Sequence, residues 1–302
     1  MERRPHHRSA PVVRVFAPAK INWVLTIAGR RPDGYHDIDT VFQALDWGDE
    51  LRISPTPELR CRILCDDPAI PTGPDNLVAR AWERLRRAWP DKVGGILARL
   101  DKRVPAGAGL GGGSSDAAAA LVGMDRLFNL GLGRRGLAPH AAAIGSDCPF
   151  FLIGGAALAG GRGERLEPLV SRLPPTWLVI AWPGFPSSTA RAYGLAGPGH
   201  WRDGSAARRV ARAIEAGDRY LLEKNVLNVF SGLVEADDLR YKEIRERIQA
   251  QGSCACTLCG SGSSMVGMAR GAAHARRLRD ALSSRYPTVI IARPSRTGVR
   301  VI

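Results

Sequence analysis

From Val12 to Ile27 apolar and polar positions alternate with the period of a half-buried strand, and Pro18 interrupts the run, which predicts an edge position or a bulge. Ile21, Trp23, Leu25 and Ile27 share the expected core face, while Lys20, Asn22, Val24 and Thr26 share the other. After the turn-forming Arg31-Pro32-Asp33-Gly34, the pattern predicts strands over Val41 to Leu45 and Leu51 to Ser54. A helix from Leu77 to Trp89, capped at Asp75 or Asn76, and a strand from Ile96 to Val104 come next. Leu121, Val122, Met124, Leu127 and Phe128 then recur at near-helical spacing, giving a helix over 115–128, and a shorter one from Leu137 to Ile144 stops at Gly145. Phe150 to Leu158 continues as an apolar segment with small residues.

Pro174-Pro175 marks a boundary. Beyond it the pattern predicts a strand over Trp177–Trp182, helices over Ala207–Ala216, Leu221–Val234 and Tyr241–Gln251, and strands over Cys256–Leu258 and Met265–Ala269 flanking a glycine-serine turn at 260–264. A helix over Ala272–Arg285 and a strand over Thr288–Ala292 close the pattern. The mixture is that of an α+β chain without internal repeats. At 302 residues it is long enough for two domains, expected at 1–172 and 173–302.

Between the 96–104 strand and the 115–128 helix stands Pro105-Ala106-Gly107-Ala108-Gly109-Leu110-Gly111-Gly112-Gly113-Ser114-Ser115, with five glycines in seven positions. Such a loop lets backbone approach a ligand, and the helix start behind it offers free N–H groups and a positive dipole end to an anion. Ser114 or Ser115 is the expected N-cap, with hydroxyls left for phosphate or a metal. Gly107, Gly109 and Gly112 also satisfy the dinucleotide pattern G-x-G-x-x-G, but about 20 residues on, where an acid should hold a ribose, stands Gly131-Leu132-Gly133. A Walker loop is excluded, because no lysine follows the glycines.

The net charge of +14 raises the question of a nucleic-acid partner, yet the excess arginine is scattered over helices without aromatic or motif support, so none is expected. No apolar run approaches the ~18 residues of a membrane span, and no signal peptide follows Met1, so a cytoplasmic protein is expected. Cys254, Cys256 and Cys259 are spaced like part of a metal site but lack a fourth ligand nearby; they read as buried thiols, and no protein-built metal site is expected.

Only five lysines occur in the chain, and one of them, Lys20, sits inside an apolar strand beside Asn22. A compact ammonium there suits phosphate or an adjacent hydroxyl, against the alternative of a lysine snorkelling from a strand end. Asp147, between a helix stop and Pro149, is either a turn aspartate bonded to nearby backbone or an acid for catalysis. Taken with a phosphate loop, the two make a candidate phosphoryl-transfer pair.

Pro18-Ala19-Lys20-Ile21-Asn22, Arg31-Pro32-Asp33-Gly34-Tyr35-His36, Asp75-Asn76-Leu77, Pro105 to Ser115 and Gly145-Ser146-Asp147-Cys148-Pro149, in this order, resemble the GHMP superfamily of galactokinase, homoserine kinase, mevalonate kinase and phosphomevalonate kinase. The Asp-Gly-Tyr-His segment is similar to its cytidyl-specific branch, and the likeness runs from Val15 to about Ala269. The resemblance implies a two-domain fold with an interdomain active site and transfer of phosphate from ATP, with Mg²⁺, to the 2-hydroxyl of a diphosphocytidyl-methylerythritol acceptor in non-mevalonate isoprenoid synthesis. It implies Asp147 as catalytic acid with Lys20 as partner, the 105–115 loop as ATP-phosphate site, and Asn76, Leu77 and Lys102 on the adenosine side. For the acceptor it implies Asn22, Tyr35, His36, Thr189, Tyr193, Gly260, Ser261 and Gly262, with Tyr35 and Tyr193 stacking the base and His36 reading its edge. A monomer or weak homodimer is expected. Asn225-Val226-Leu227-Asn228 stands where relatives often carry Asn-Asp-Leu-Glu, and Cys259 where serine or threonine is common. The tail Met1 to Pro11 lies outside the likeness and is expected to be disordered.

Overall fold

The computed structural model describes residues 11–302, so nearly all of the expected disordered tail lies outside the described residues. Its first sheet is organised on β1 (Val13–Arg30), which pairs along its length with β2 (His36–Thr56). The register between them shifts at Pro18/Lys20, Asn22/Val24 and Ile27/Gly29, so the bulge expected at Pro18 is present. Each shift turns the strand. Val15 and Ala17 therefore pack in one core, Ala19, Ile21, Trp23 and Val24 in a second, Leu25 and Ile27 in a third. Both faces are buried from Ala17 to Ile27, which departs from the single core face that alternation predicts.

The two strands expected at 41–45 and 51–54 are one continuous strand, β2. The polar gap between them includes Asp49, fully buried because Lys102 pairs with it and the backbone N–H groups of Arg103 and Val104 donate to it. β3 (Cys61–Cys65), absent from the pattern, lies beside β4 (Gly95–Asp101), which pairs in turn with β2. α1 (Leu77–Ala88) is capped by Asn76, whose Oδ1 accepts from Val78 N at 2.9 Å.

α2 (Gly112–Leu127) begins three residues before the expected start. Gly111, at φ +73°, makes the turn into it, so neither Ser114 nor Ser115 is the N-cap; both sit in the first turn. α3 (Gly133–Ile144) also starts early, because the Asp125 carboxylate accepts from Leu132 N and Gly133 N at 2.9 and 3.1 Å and so caps it from the end of α2. The apolar 150–158 segment divides into α4 (Cys148–Ile153), a Gly154-Gly155 turn and β5 (Ala156–Gly160), which pairs with β2 and with β6 (Arg165–Leu169).

β7 (Trp177–Trp182) opens the second sheet, followed by α5 (Thr189–Gly194) and α6 (Ser205–Ala216). The single helix expected over 221–234 is broken into α7 (Arg219–Asn225), β8 (Leu227–Asn228), which lies parallel to β1, and α8 (Phe230–Asp237). α9 (Leu239–Ala250), β9 (Cys256–Leu258), β10 (Met265–Ala269), α10 (Ala272–Ser283) and β11 (Thr288–Ala292) match the pattern to within two residues at each end. The order of the second sheet is β11-β7-β10-β9, and β12 (Arg300–Val301) returns to the first, beside β1. The result is a two-domain α+β fold in which the second core joins β1 and β2 to β7, β10 and α6.

Candidate active site

A cleft of about 1260 Å³ opens between the sheets. That exceeds the ~300–1,000 Å³ of a typical single-ligand pocket and leaves room for two. The 105–113 loop and Ser114 line it together with Lys20, Asn22, Asp147 and the 260–262 turn. Ser115 does not; its hydroxyl is buried and without a partner.

The two glycine turns are interlocked. Ser264 N donates to Ala108 O at 3.1 Å and Ser187 N to Gly107 O at 2.8 Å. A side chain on Gly109, which has φ +77°, would stand 1.8 Å from Cys259 O, so only glycine permits this approach. On the other side, Lys20 N donates to Leu110 O at 2.9 Å, tying β1 to the loop. α2, sixteen residues long, points its N-terminus into the cleft behind Gly111.

Lys20 is 4% exposed. Its Nζ donates to Asn22 Oδ1 at 2.9 Å and lies 3.6 Å from Asp147 Oδ2 and 5.2 Å from the Phe42 ring centre. The snorkelling alternative therefore fails: the ammonium turns inward to the cleft. Asp147 precedes α4 without capping it, and its side chain remains 32% exposed. An accessible carboxylate beside a buried ammonium, facing a helix N-terminus, can take a proton from a hydroxyl while positive charge stands where phosphate negative charge moves.

Lys102 has a different setting. Its Nζ is paired with Asp49 and, at 2.9 Å, with Asp116 Oδ2, the side chains of all three being buried. Burial works against its charge, but the two carboxylates outweigh it and raise the pKa. Burial, partly offset by Lys102, pushes Asp116 up to about 7, and its Oδ1 has no partner. Asn76 and Leu77 line the same side of the cleft, the Asn76 amide serving the cap and donating to Pro71 O at 2.7 Å.

At the opposite end, Tyr193 stacks on His36 with ring centres 5.0 Å apart and meets Phe230 edge-on at 4.8 Å. Burial raises the Tyr193 pKa, and burial with the Arg30 charge lowers that of His36. Tyr35 does not face Tyr193; it is 56% exposed and lies under the Arg162 guanidinium, 4.6 Å from the ring centre. Thr189 Oγ1 and Ser261 Oγ are 3.0 Å apart, which joins α5 to the second glycine turn. Sequence reading missed Arg30, Arg162, Trp201 and Phe230, which also line the cleft and carry no local motif. Cys259 is buried and Cys254 and Cys256 partly so, and burial pushes the thiols of Cys256 and Cys259 up to about 12. Among the described residues no group of three or more His, Cys, Asp or Glu could hold a metal, and no helix is long and apolar enough to cross a membrane.

The model of the GHMP kinases N terminal domain matches residues 76–155 and that of the GHMP kinases C terminal domain residues 206–288. The chain is 39% identical over 291 residues to the 4-diphosphocytidyl-2-C-methyl-D-erythritol kinase of Moorella thermoacetica, covering 93% of this chain and 99% of that one. A crystal structure of 4-(cytidine 5'-diphospho)-2C-methyl-D-erythritol kinase matches with TM-score 0.79 and 34% identity, over 93% of this chain and 99% of that one. Homoserine kinase from Cytophaga hutchinsonii, at TM-score 0.77 but 18% identity over 99% of this chain and 100% of that one, shares the fold. Fold and cleft together are those of a GHMP-type small-molecule kinase. Within that class the likeness in sequence is to one branch across nearly the whole length. The chain belongs to the 4-diphosphocytidyl-2-C-methyl-D-erythritol kinase family.

Proposed function

We propose that this chain transfers the γ-phosphoryl group of ATP to the 2-hydroxyl of 4-diphosphocytidyl-2-C-methyl-D-erythritol, in the non-mevalonate route to isoprenoid precursors. The observation that carries the reading is the Lys20–Asp147 pair, 3.6 Å apart at the mouth of the glycine loop, in a chain of this family. Phosphoryl transfer runs through a loose transition state, so the protein's work is placement and charge. Asp147 orients the acceptor hydroxyl and takes its proton; Lys20 stands by the transferred group.

The loop 105–113, Ser114 and the α2 N-terminus hold the nucleotide phosphates, with Asn76, Leu77 and Lys102 forming the adenosine side. Ser114, in the cleft at the first turn of α2, fits a Mg²⁺ carried by those phosphates. The ion when bound offsets phosphate charge. Tyr35, His36 and Tyr193 form the wall for the cytosine, while Asn22, Thr189 and the 260–262 turn border the acceptor's reacting end. The division at 172/173, with β12 lent back to the first sheet, a cytoplasmic location, no nucleic-acid partner, and a monomer or weak homodimer belong to the same proposal.

The test is ADP release from MgATP as a function of acceptor. The cytidyl acceptor should support turnover and its uridyl counterpart far less. Equal turnover with homoserine or mevalonate would leave a kinase of the superfamily but remove this acceptor.

A further inference from the structure

Asn228 belongs to none of the sites assigned above, yet its side chain is fully used and 3% exposed. Its Nδ2 donates to Leu258 O at 2.9 Å and to Gly260 O at 2.7 Å, and its Oδ1 accepts from Phe230 N at 2.9 Å. These partners fix the orientation of the amide, since only an NH₂ group can serve two carbonyls at once. The residue is held in turn by β8, which lies along β1 with Asn228 opposite Leu25, and by Val229 N, which donates to Leu25 O at 2.9 Å.

From Gly260 the contacts continue inward. Gly260 N donates to Asn22 Oδ1 at 3.1 Å, the same oxygen that accepts from Lys20 Nζ. Asn22 Nδ2 is occupied by Thr40 Oγ1 at 2.7 Å, and Thr40 Oγ1 donates to Val24 O at 2.6 Å, so the Asn22 amide cannot flip without breaking this chain. In the other direction Phe230, whose N–H Asn228 accepts, packs edge-on against Tyr193.

We propose that Asn228 is a positioning residue for phosphoryl transfer: it holds the Gly260 turn against Asn22, and through Asn22 sets where the Lys20 ammonium stands relative to Asp147. The inference rests on the reading of Lys20 and Asp147 as the reacting pair. Removing both donors without changing shape frees the turn, and a displaced ammonium slows transfer while the nucleotide phosphate loop stays intact.

The experiment is a set of Asn228→Asp, Asn22→Ala and double-variant enzymes, assayed for kcat per folded protein and for binding of a non-hydrolysable ATP analogue. Asn228→Ser stands in should the aspartate variant fail to fold. We expect Asn228→Asp to lose on the order of 10- to 100-fold in kcat, to bind the analogue within about twofold of wild type, and to add little to the loss in Asn22→Ala. Its activity relative to wild type should rise as pH falls, because a protonated carboxyl regains one donor; Asn228→Ser should show no such rise. Wild-type kcat in Asn228→Asp, or losses that multiply fully in the double variant, would overturn the inference. Lys20→Met and Asp147→Asn are assayed alongside, and their retention of wild-type turnover would instead overturn the assignment of the reacting pair.

Discussion

The cleft contains two lysines with buried side chains that look alike in sequence and differ in what surrounds them. Lys20 donates to one neutral amide and has one carboxylate 3.6 Å away, which is partly open to solvent. Lys102 is enclosed by two buried carboxylates, Asp49 and Asp116. An ammonium held by a neutral oxygen keeps charge to offer an incoming phosphate; one saturated by two anions has none to spare and serves to make the burial of Asp49 and Asp116 tolerable. Proximity to a ligand cleft is thus a poor guide to a lysine's role, and the partners decide it.

The largest expected effect is at the Lys20 end. Asp147→Asn should lower kcat by ~10²–10⁴ while leaving ATP-analogue affinity near wild type, measured by steady-state kinetics and equilibrium binding. Lys20→Met should match that loss in direction and change unfolding free energy by less than about 1 kcal/mol, since its pairing with Asp147 is partly solvated. At the other end the signs exchange. Lys102→Met leaves two carboxylates buried together without their counter-ion and should cost about 3–5 kcal/mol of stability in urea unfolding. If Lys102→Met instead leaves stability untouched and abolishes turnover, the contrast between the two lysines is wrong.

Smaller effects sharpen the picture. Tyr193→Ala should lose ~1–3 kcal/mol of acceptor binding, the range for a base stacked on an aromatic ring, and leave ATP affinity alone. Acceptor KM against ATP KM in that variant tests it. Asp116 gives a weaker but signed effect. Its folded pKa is raised to about 7, chiefly by burial, above an unfolded value of about 3.9. The folded state therefore binds a proton that the unfolded state releases, so this contribution to stability is complete below about pH 4 and is lost as pH rises through about 7. The urea midpoint of wild type should fall between about pH 4 and pH 7 and level off above, and Asp116→Asn should flatten that fall.

Much of this was legible in the chain because it depends on local chemistry. The glycine loop before a helix, a lysine inside an apolar strand and an uncommitted aspartate before Pro149 are readable from neighbours alone, and so were most strands and helices of the second sheet. What was not legible depends on partners distant in sequence. Asp49 lets β2 run unbroken because Lys102, Arg103 and Val104 reach it from the end of β4. Asp125 starts α3 early from the end of α2. Asn228 splits an apparently continuous helix by reaching for carbonyls 30 and 32 residues away. The N-cap of α2 was misplaced for a different reason: a left-handed glycine replaced the side-chain cap that Ser114 and Ser115 suggested. Gly111 also turns its missing side chain inward, where a Cβ would stand 2.7 Å from Phe151 Cζ and 3.0 Å from Lys20 Cγ, so substitution there disturbs the core and Lys20 as well as nucleotide binding.

The contrast between the two lysines depends on cytidyl-acceptor phosphorylation taking place at the Lys20 end of the cleft. The most direct measurement is ADP release by wild type and Asp147→Asn with MgATP and 4-diphosphocytidyl-2-C-methyl-D-erythritol, homoserine or mevalonate as acceptor. Turnover is expected with the cytidyl acceptor, little with the other two, and most of that turnover should be lost in the variant. Equal rates on all three acceptors, or undiminished turnover in Asp147→Asn, would contradict it.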